Sequence, residues 1–82
     1  MRPAWAEHVR EGYDELYKAA VGFLRTAQQA GHVREDLDAG PLADIVLALS
    51  DGFSNRIFTD SAASGRLLAS LELALRELLS PR

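Results

Sequence analysis

The sequence predicts an all-α fold: a three-helix unit whose last two helices pair with those of a second copy in a four-helix-bundle dimer contact. Three observations predict it. Alanine and leucine dominate the apolar positions and β-branched residues are few, which favours helix over strand. The three prolines, Pro3, Pro41 and Pro81, all fall where a helix begins or stops. Apolar residues recur at steps of three and four, with no strand-like alternation of useful length.

The first helix is expected from about residue 3 to residue 30. Trp5, Val9, Tyr13, Leu16, Ala20, Leu24 and Ala27 form one apolar stripe, and most charges fall elsewhere. Asp14 and Lys18 stand four apart, an attractive pair worth only about 0.3–0.5 kcal/mol on a wet surface. Pro3 suits the first turn, where its missing N–H is not needed. Gly31 suits the residue past the end, where a left-handed backbone is required.

The second helix is expected over about 39–58. Asp38 is its natural N-cap, the carboxylate accepting from free backbone N–H groups, with Gly40 a rival. Leu42, Ile45, Val46, Leu49, Phe53 and Ile57 form a dense stripe that Ala43, Leu47 and Phe58 widen. Only Asp44, Asp51 and Asn55 are left as a narrow polar strip. Asp60 and Ser61 offer the next cap, for a third helix over about 62–79. It carries Leu67, Leu68, Leu71, Ala74, Leu75, Leu78 and Leu79, with Ala69 and Leu73 outside the main stripe.

The chain of 82 residues is one domain, 1–82, with no internal repeat. A domain this small buries only roughly 60–65% of the surface its unfolded form exposes. With no cysteine it has neither a disulfide nor a thiolate metal site to add stability. The apolar arc of the second helix is wider than two neighbours can cover, and monomers rarely leave such a patch open. A homodimer follows as the expectation. Candidate contact residues are Leu47, Gly52, Phe58, Leu71, Leu75 and Leu78; the alternative for each large side chain is the chain's own core. Gly52 weakens a helix interior by roughly 1 kcal/mol, which close approach of another helix offsets; the alternative is a tolerated surface glycine.

Net charge is −3 and the nine Lys and Arg are scattered, so these residues lack the basic stripe of a nucleic-acid binder. The opening MRPAWAEHVREGYDE carries charges where a signal peptide needs an apolar run. No apolar stretch nears the roughly 20 residues of a membrane span. A soluble, cytoplasmic chain is expected. His8 and His32 are isolated, and no HExxH or Cys/His cluster marks a metal site. No serine sits in a GxSxG elbow, and SAASGR lacks the lysine of a phosphate loop. No catalytic residue, cofactor or metal is therefore assigned. Trp5, Tyr13 and Tyr17 are candidates to line a small-molecule pocket, with core packing as the alternative. Arg34, Asp36 and Asp38 are candidates for a network closing the link between the first two helices, with a solvated charged turn as the alternative for Arg34.

The stretch AQQAGHVREDLDAGPLADIVLALSDGF resembles the C-terminal domain of TetR-family transcriptional repressors. The residues that carry it are Ala30 and Gly31, then Arg34, Asp36, Leu37 and Asp38, then Asp51 and Gly52. SGRLLASLELALRELL is similar to that family's leucine-rich final helix, and the likeness runs from about residue 13 to residue 79. The resemblance implies a regulator that dimerises through its last two helices and takes a small-molecule effector in the helical domain. It also implies DNA binding only through an N-terminal helix-turn-helix, which residues 1–30 do not supply. The chain is thus read as the last three helices of such a protein. A freestanding helical interaction module with no DNA-binding head is the alternative.

Overall fold

A computed structural model describes residues 4–82 and contains three α-helices and no strand among them. Helix α1 is Ala4–Gln29, α2 is Ala39–Thr59 and α3 is Ser64–Leu79, with a 3-10 turn at Ser61–Ala63. The all-α expectation holds. The Pro3 start lies outside the described residues.

Each boundary has a local cause. At the end of α1, Gly31 adopts φ 79°, the left-handed region that favours glycine. Its N–H donates to the Gln28 carbonyl at 3.0 Å, and the next N–H, of His32, donates to Ala27 at 2.9 Å. This is the paired Schellman closure of a helix C-terminus. Asp38 does precede α2 in extended geometry, φ −65° and ψ 147°, but its carboxylate makes no capping hydrogen bond. The expected side-chain cap is therefore corrected: Asp38 contributes through its carbonyl, which accepts from the Leu42 N–H at 3.3 Å. Asp60 likewise caps nothing with its side chain. Its backbone, φ −140° and ψ 80°, ends α2, and its carbonyl accepts from Ala63 at 3.1 Å. That bond spans three residues rather than four, so a 3-10 turn replaces the expected start at Ala62 and α3 begins at Ser64.

The three helices form one layer. Helix α2 lies in the middle and packs on both others, whereas α1 and α3 do not run alongside each other. The Cα envelope measures 43 × 35 × 14 Å. Leu24, Val33, Ala39, Leu42 and Ala43 are buried together, flanked by Tyr17, Ala20, Val21, Ala27, Leu78 and Leu79. Two of the buried α2 residues are alanines, and Gly40 is beside them. A Cβ on Gly40 would sit 2.9 Å from the Tyr17 hydroxyl oxygen, which marks how closely α1 lies on α2 there.

The slab is loose for its size. Its radius of gyration is 14.8 Å, against about 12 Å for a compact domain of this length. It exposes 6043 Å², about 1,200 Å² more than a compact monomer of 9.0 kDa. Part of the excess lies on α1, whose 26 residues reach about 39 Å. The expected α1 stripe is covered only in its second half. Ala20, Leu24 and Ala27 meet the core, joined by Tyr17 from outside the stripe, but Trp5, Val9, Tyr13 and Leu16 remain exposed.

Replacing Gly31 with alanine keeps every contact and forces a Cβ into left-handed backbone. Gly31→Ala is expected to lower stability by about 1 kcal/mol, read from the shift of the urea unfolding midpoint at unchanged slope.

Candidate functional site

Sequence placed six dimer candidates, three aromatic candidates and a link network on the chain. The structure sorts them into three separate places: the link, a groove along α3 and a groove between α1 and α2.

The link is stapled by Arg34. Its guanidinium grips Asp36 with two parallel bonds, Nε to Oδ1 at 2.7 Å and NH2 to Oδ2 at 2.6 Å. NH1 donates to the Leu78 carbonyl at 3.4 Å, and the Arg34 N–H donates to Leu79 at 3.0 Å. One residue thus ties the link to the last turn of α3. Gln28, at the end of α1, donates Nε2 to the carbonyls of Arg34 at 3.0 Å and Leu37 at 2.8 Å. The Arg34–Asp36 network is present, and Asp38 stands outside it. Hydrogen bonding from Arg34 holds the Asp36 carboxyl below the usual carboxylate range, with desolvation opposing. The same bonding holds the Arg34 guanidinium above its ordinary value, again against desolvation.

An open groove of about 560 Å³ lies on α3. Leu68, Leu71, Leu75 and Leu79, at steps of three, four and four, form its wall, and His32 and Val33 of the link close one side. Leu68 is 55% exposed. On the rim, Arg76 donates to Glu72 at 2.6 Å across one helical turn. Leu71 and Leu75 were expected at a contact surface, and they line this groove. Leu78 was expected there too, but it packs against the chain's own core.

A second groove, about 450 Å³, runs between α1 and α2. Tyr13 and Tyr17 meet Leu47 in it, with the carboxylates of Asp14, Asp44 and Asp51 at its edge. Leu47 therefore lies on the α1 side of α2, away from the α3 groove. Trp5 is not part of this groove; it stands 68% exposed further up α1. Gly52 has nothing within 4 Å of a built Cβ, so no helix of this chain approaches it. Phe58 is 92% exposed and belongs to neither groove. Lys18 pairs with Glu15 at 3.7 Å instead of the expected Asp14.

Sequence reasoning missed the parts of the α3 groove that come from elsewhere in the chain. Val33 and His32 precede α3 by more than thirty residues, and no periodicity links them to it. The bonds from Gln28 to the link likewise depend on the fold and carry no signal in the sequence pattern. Among the described residues no group of three His, Cys, Asp or Glu is placed to hold a metal, and no helix is long and apolar enough to cross a membrane.

No protein-family model matches the chain, and no curated protein or solved structure matches it significantly.

Asp36 carries a testable consequence. A carboxyl held low in the folded state adds stability above its unfolded value of about 3.9, and that stability is lost as pH falls through the folded value. Asp36→Asn is therefore expected to melt below the parent at pH 7 and to converge with it in strong acid. Thermal unfolding followed by circular dichroism across that range checks it.

Proposed function

We propose that the chain is the C-terminal dimerisation and effector-binding part of a TetR-like transcriptional regulator, self-associating through α2 and α3. In this reading DNA is reached only through an N-terminal domain, and a small-molecule effector belongs to the whole regulator. No catalytic step is assigned. The observation that supports the reading is the open, leucine-lined groove of α3, with Leu68 exposed and Leu71 and Leu75 half-buried, in a slab exposing about 1,200 Å² more than a compact monomer of its mass. A standard interface takes about 800 Å² from each partner. Burying each leucine is worth about 1.5–3 kcal/mol. The family half of the reading rests on the junction residues Gly31, Arg34, Asp36 and Asp51–Gly52.

A second reading, a helical module that docks on another protein, is favoured by one observation. Trp5, Val9, Tyr13 and Leu16 stay exposed on α1, where pairing of α2 and α3 does not reach. A basic helix-turn-helix encoded upstream in the same frame supports the regulator; its absence supports the module.

Sedimentation equilibrium at tens of micromolar is expected to give a dimer, and a monomer at that concentration removes the proposal. Leu75→Asp places an unpaired charge in the contact and is expected to weaken association at least a hundredfold. Gly52→Ala gains about 1 kcal/mol of helix propensity in the single chain. If a partner helix lies against it, the same change weakens the dimer, a split that denaturation and sedimentation together resolve.

A further inference from the structure

Helix α1 carries an exposed stripe that neither groove uses. Trp5, Val9, Gly12, Leu16, Ala19 and Phe23 follow one another at steps of four, three, four, three and four. That is the 3.5-residue period of a coiled-coil seam, held over about three heptads. All six are exposed, Phe23 at 74%. At about 100° per residue the stripe lies roughly a third of a turn from Tyr17, Val21 and Leu24, which meet the core. A Cβ built on Gly12 would find nothing within 4 Å.

We propose that this stripe is a second self-association surface, on which α1 of another copy lies antiparallel with residue 14 at the dyad. It uses none of the residues of the α2–α3 contact and stands or falls separately from it. The order of sizes along the stripe argues for a copy as the occupant. Antiparallel about residue 14, Trp5 faces Phe23 of the other copy, Val9 faces Ala19 and Gly12 faces Leu16. Large sits against small in two of these pairs, which lets the backbones approach, and the third is aromatic on aromatic. A parallel pair sets each residue on itself, so Gly12 meets Gly12 and leaves a void.

Charge favours the same direction. The first half of α1 is net acidic, with Glu7, Glu11 and Asp14 against Arg10. The second half is net basic, with Lys18 and Arg25 against Glu15. Antiparallel pairing lays one half on the other and opposes the two helix dipoles. It also brings Glu15 near its own copy at the dyad, but Lys18 already pairs with Glu15 at 3.7 Å. Helix α1 is formed in the single chain, so pairing pays no helix nucleation. Three heptads make a short seam, so this contact is the weaker of the two and fills at higher concentration.

The chain has no cysteine, so introduced ones report contacts between copies. Val9→Cys and Ala19→Cys are mixed at about 0.5 mM, where even a weak contact is populated, with oxidised glutathione as oxidant. The mixed disulfide between positions 9 and 19 is expected to form roughly tenfold faster than either variant's disulfide with itself. Like positions stand about 15 Å apart along the antiparallel axis, beyond disulfide reach. Mass spectrometry distinguishes the products. Leu16→Asp in both chains should slow the mixed disulfide to the rate of a control pair away from the stripe, Glu11→Cys with Lys18→Cys. Leu16 is exposed, so circular dichroism should show that variant still helical. Faster self-disulfides mean a parallel pair and overturn the proposal. A rate no greater than the control also overturns it and leaves the stripe to a helix of another protein. The mixture is repeated with Leu75→Asp in both chains: persistence there supports a surface separate from the α2–α3 contact, and loss overturns it. None of these results decides the α2–α3 dimer, which has its own sedimentation test.

Discussion

Everything in this fold depends on α2 having a neighbour on only two sides. Three helices in one layer 14 Å thick can shield the flanks of the middle helix but not its two broad faces. The sequence gives α2 apolar residues over well over half its circumference. Layer geometry and composition are therefore in conflict within a single chain. The conflict shows as Ile45 and Phe58 exposed on α2 and as Leu68 and Leu73 exposed on α3. A second layer would resolve it, and under the dimer proposal that layer is another copy of the same slab.

Packing of α2 on both neighbours is joined by hydrogen bonds that tie the helix ends together. Arg34 bonds to carbonyls of the last turn of α3, and Gln28 reaches from α1 to two carbonyls of the link. The end of α1, the link and the end of α3 thus converge at one corner. Gly31 makes that corner possible by turning the chain left-handed directly after α1. The Arg34–Asp36 fork is solvent-facing on the Asp36 side, so its value lies in fixing geometry more than in electrostatic energy.

Helix number, order and approximate ends were legible because each depends on local chemistry. Period, glycine and proline act within a few residues of where they stand. Gly31 could be read because only glycine adopts its backbone at little cost. The α3 groove was only half legible. Leu71 and Leu75 were identifiable by their place on an apolar stripe and line the groove, but Leu78, one turn on, packs against the chain's own core. A stripe states that a face is apolar and does not state which neighbour covers it. Val33 and His32 were illegible there, since their place depends on how α3 returns to the link. Asp38 failed for a different reason: the right residue type stood at the right position, and its side chain still made no cap bond. Residue type sets which hydrogen bonds are available; rotamer and solvent decide which one forms.

Burial also falls along α2, and this gradient orders the surfaces. Ala39, Leu42 and Ala43 at its start are buried, Phe53 and Ile57 are half-buried, and Phe58 is open. Small residues at the start let α1 come close, as at Gly40 beside Tyr17. The main buried cluster therefore lies near the link, and Leu67 near the start of α3 is a second buried point, 2% exposed, outside that cluster. The corner near the link should resist local opening most. In the proposed dimer, a partner layer laid across α2 and α3 would reach the corner near Val33 and the exposed Phe58 at the other end. Such a contact would stabilise most where the single chain is weakest, so folding and association are expected to be coupled rather than sequential.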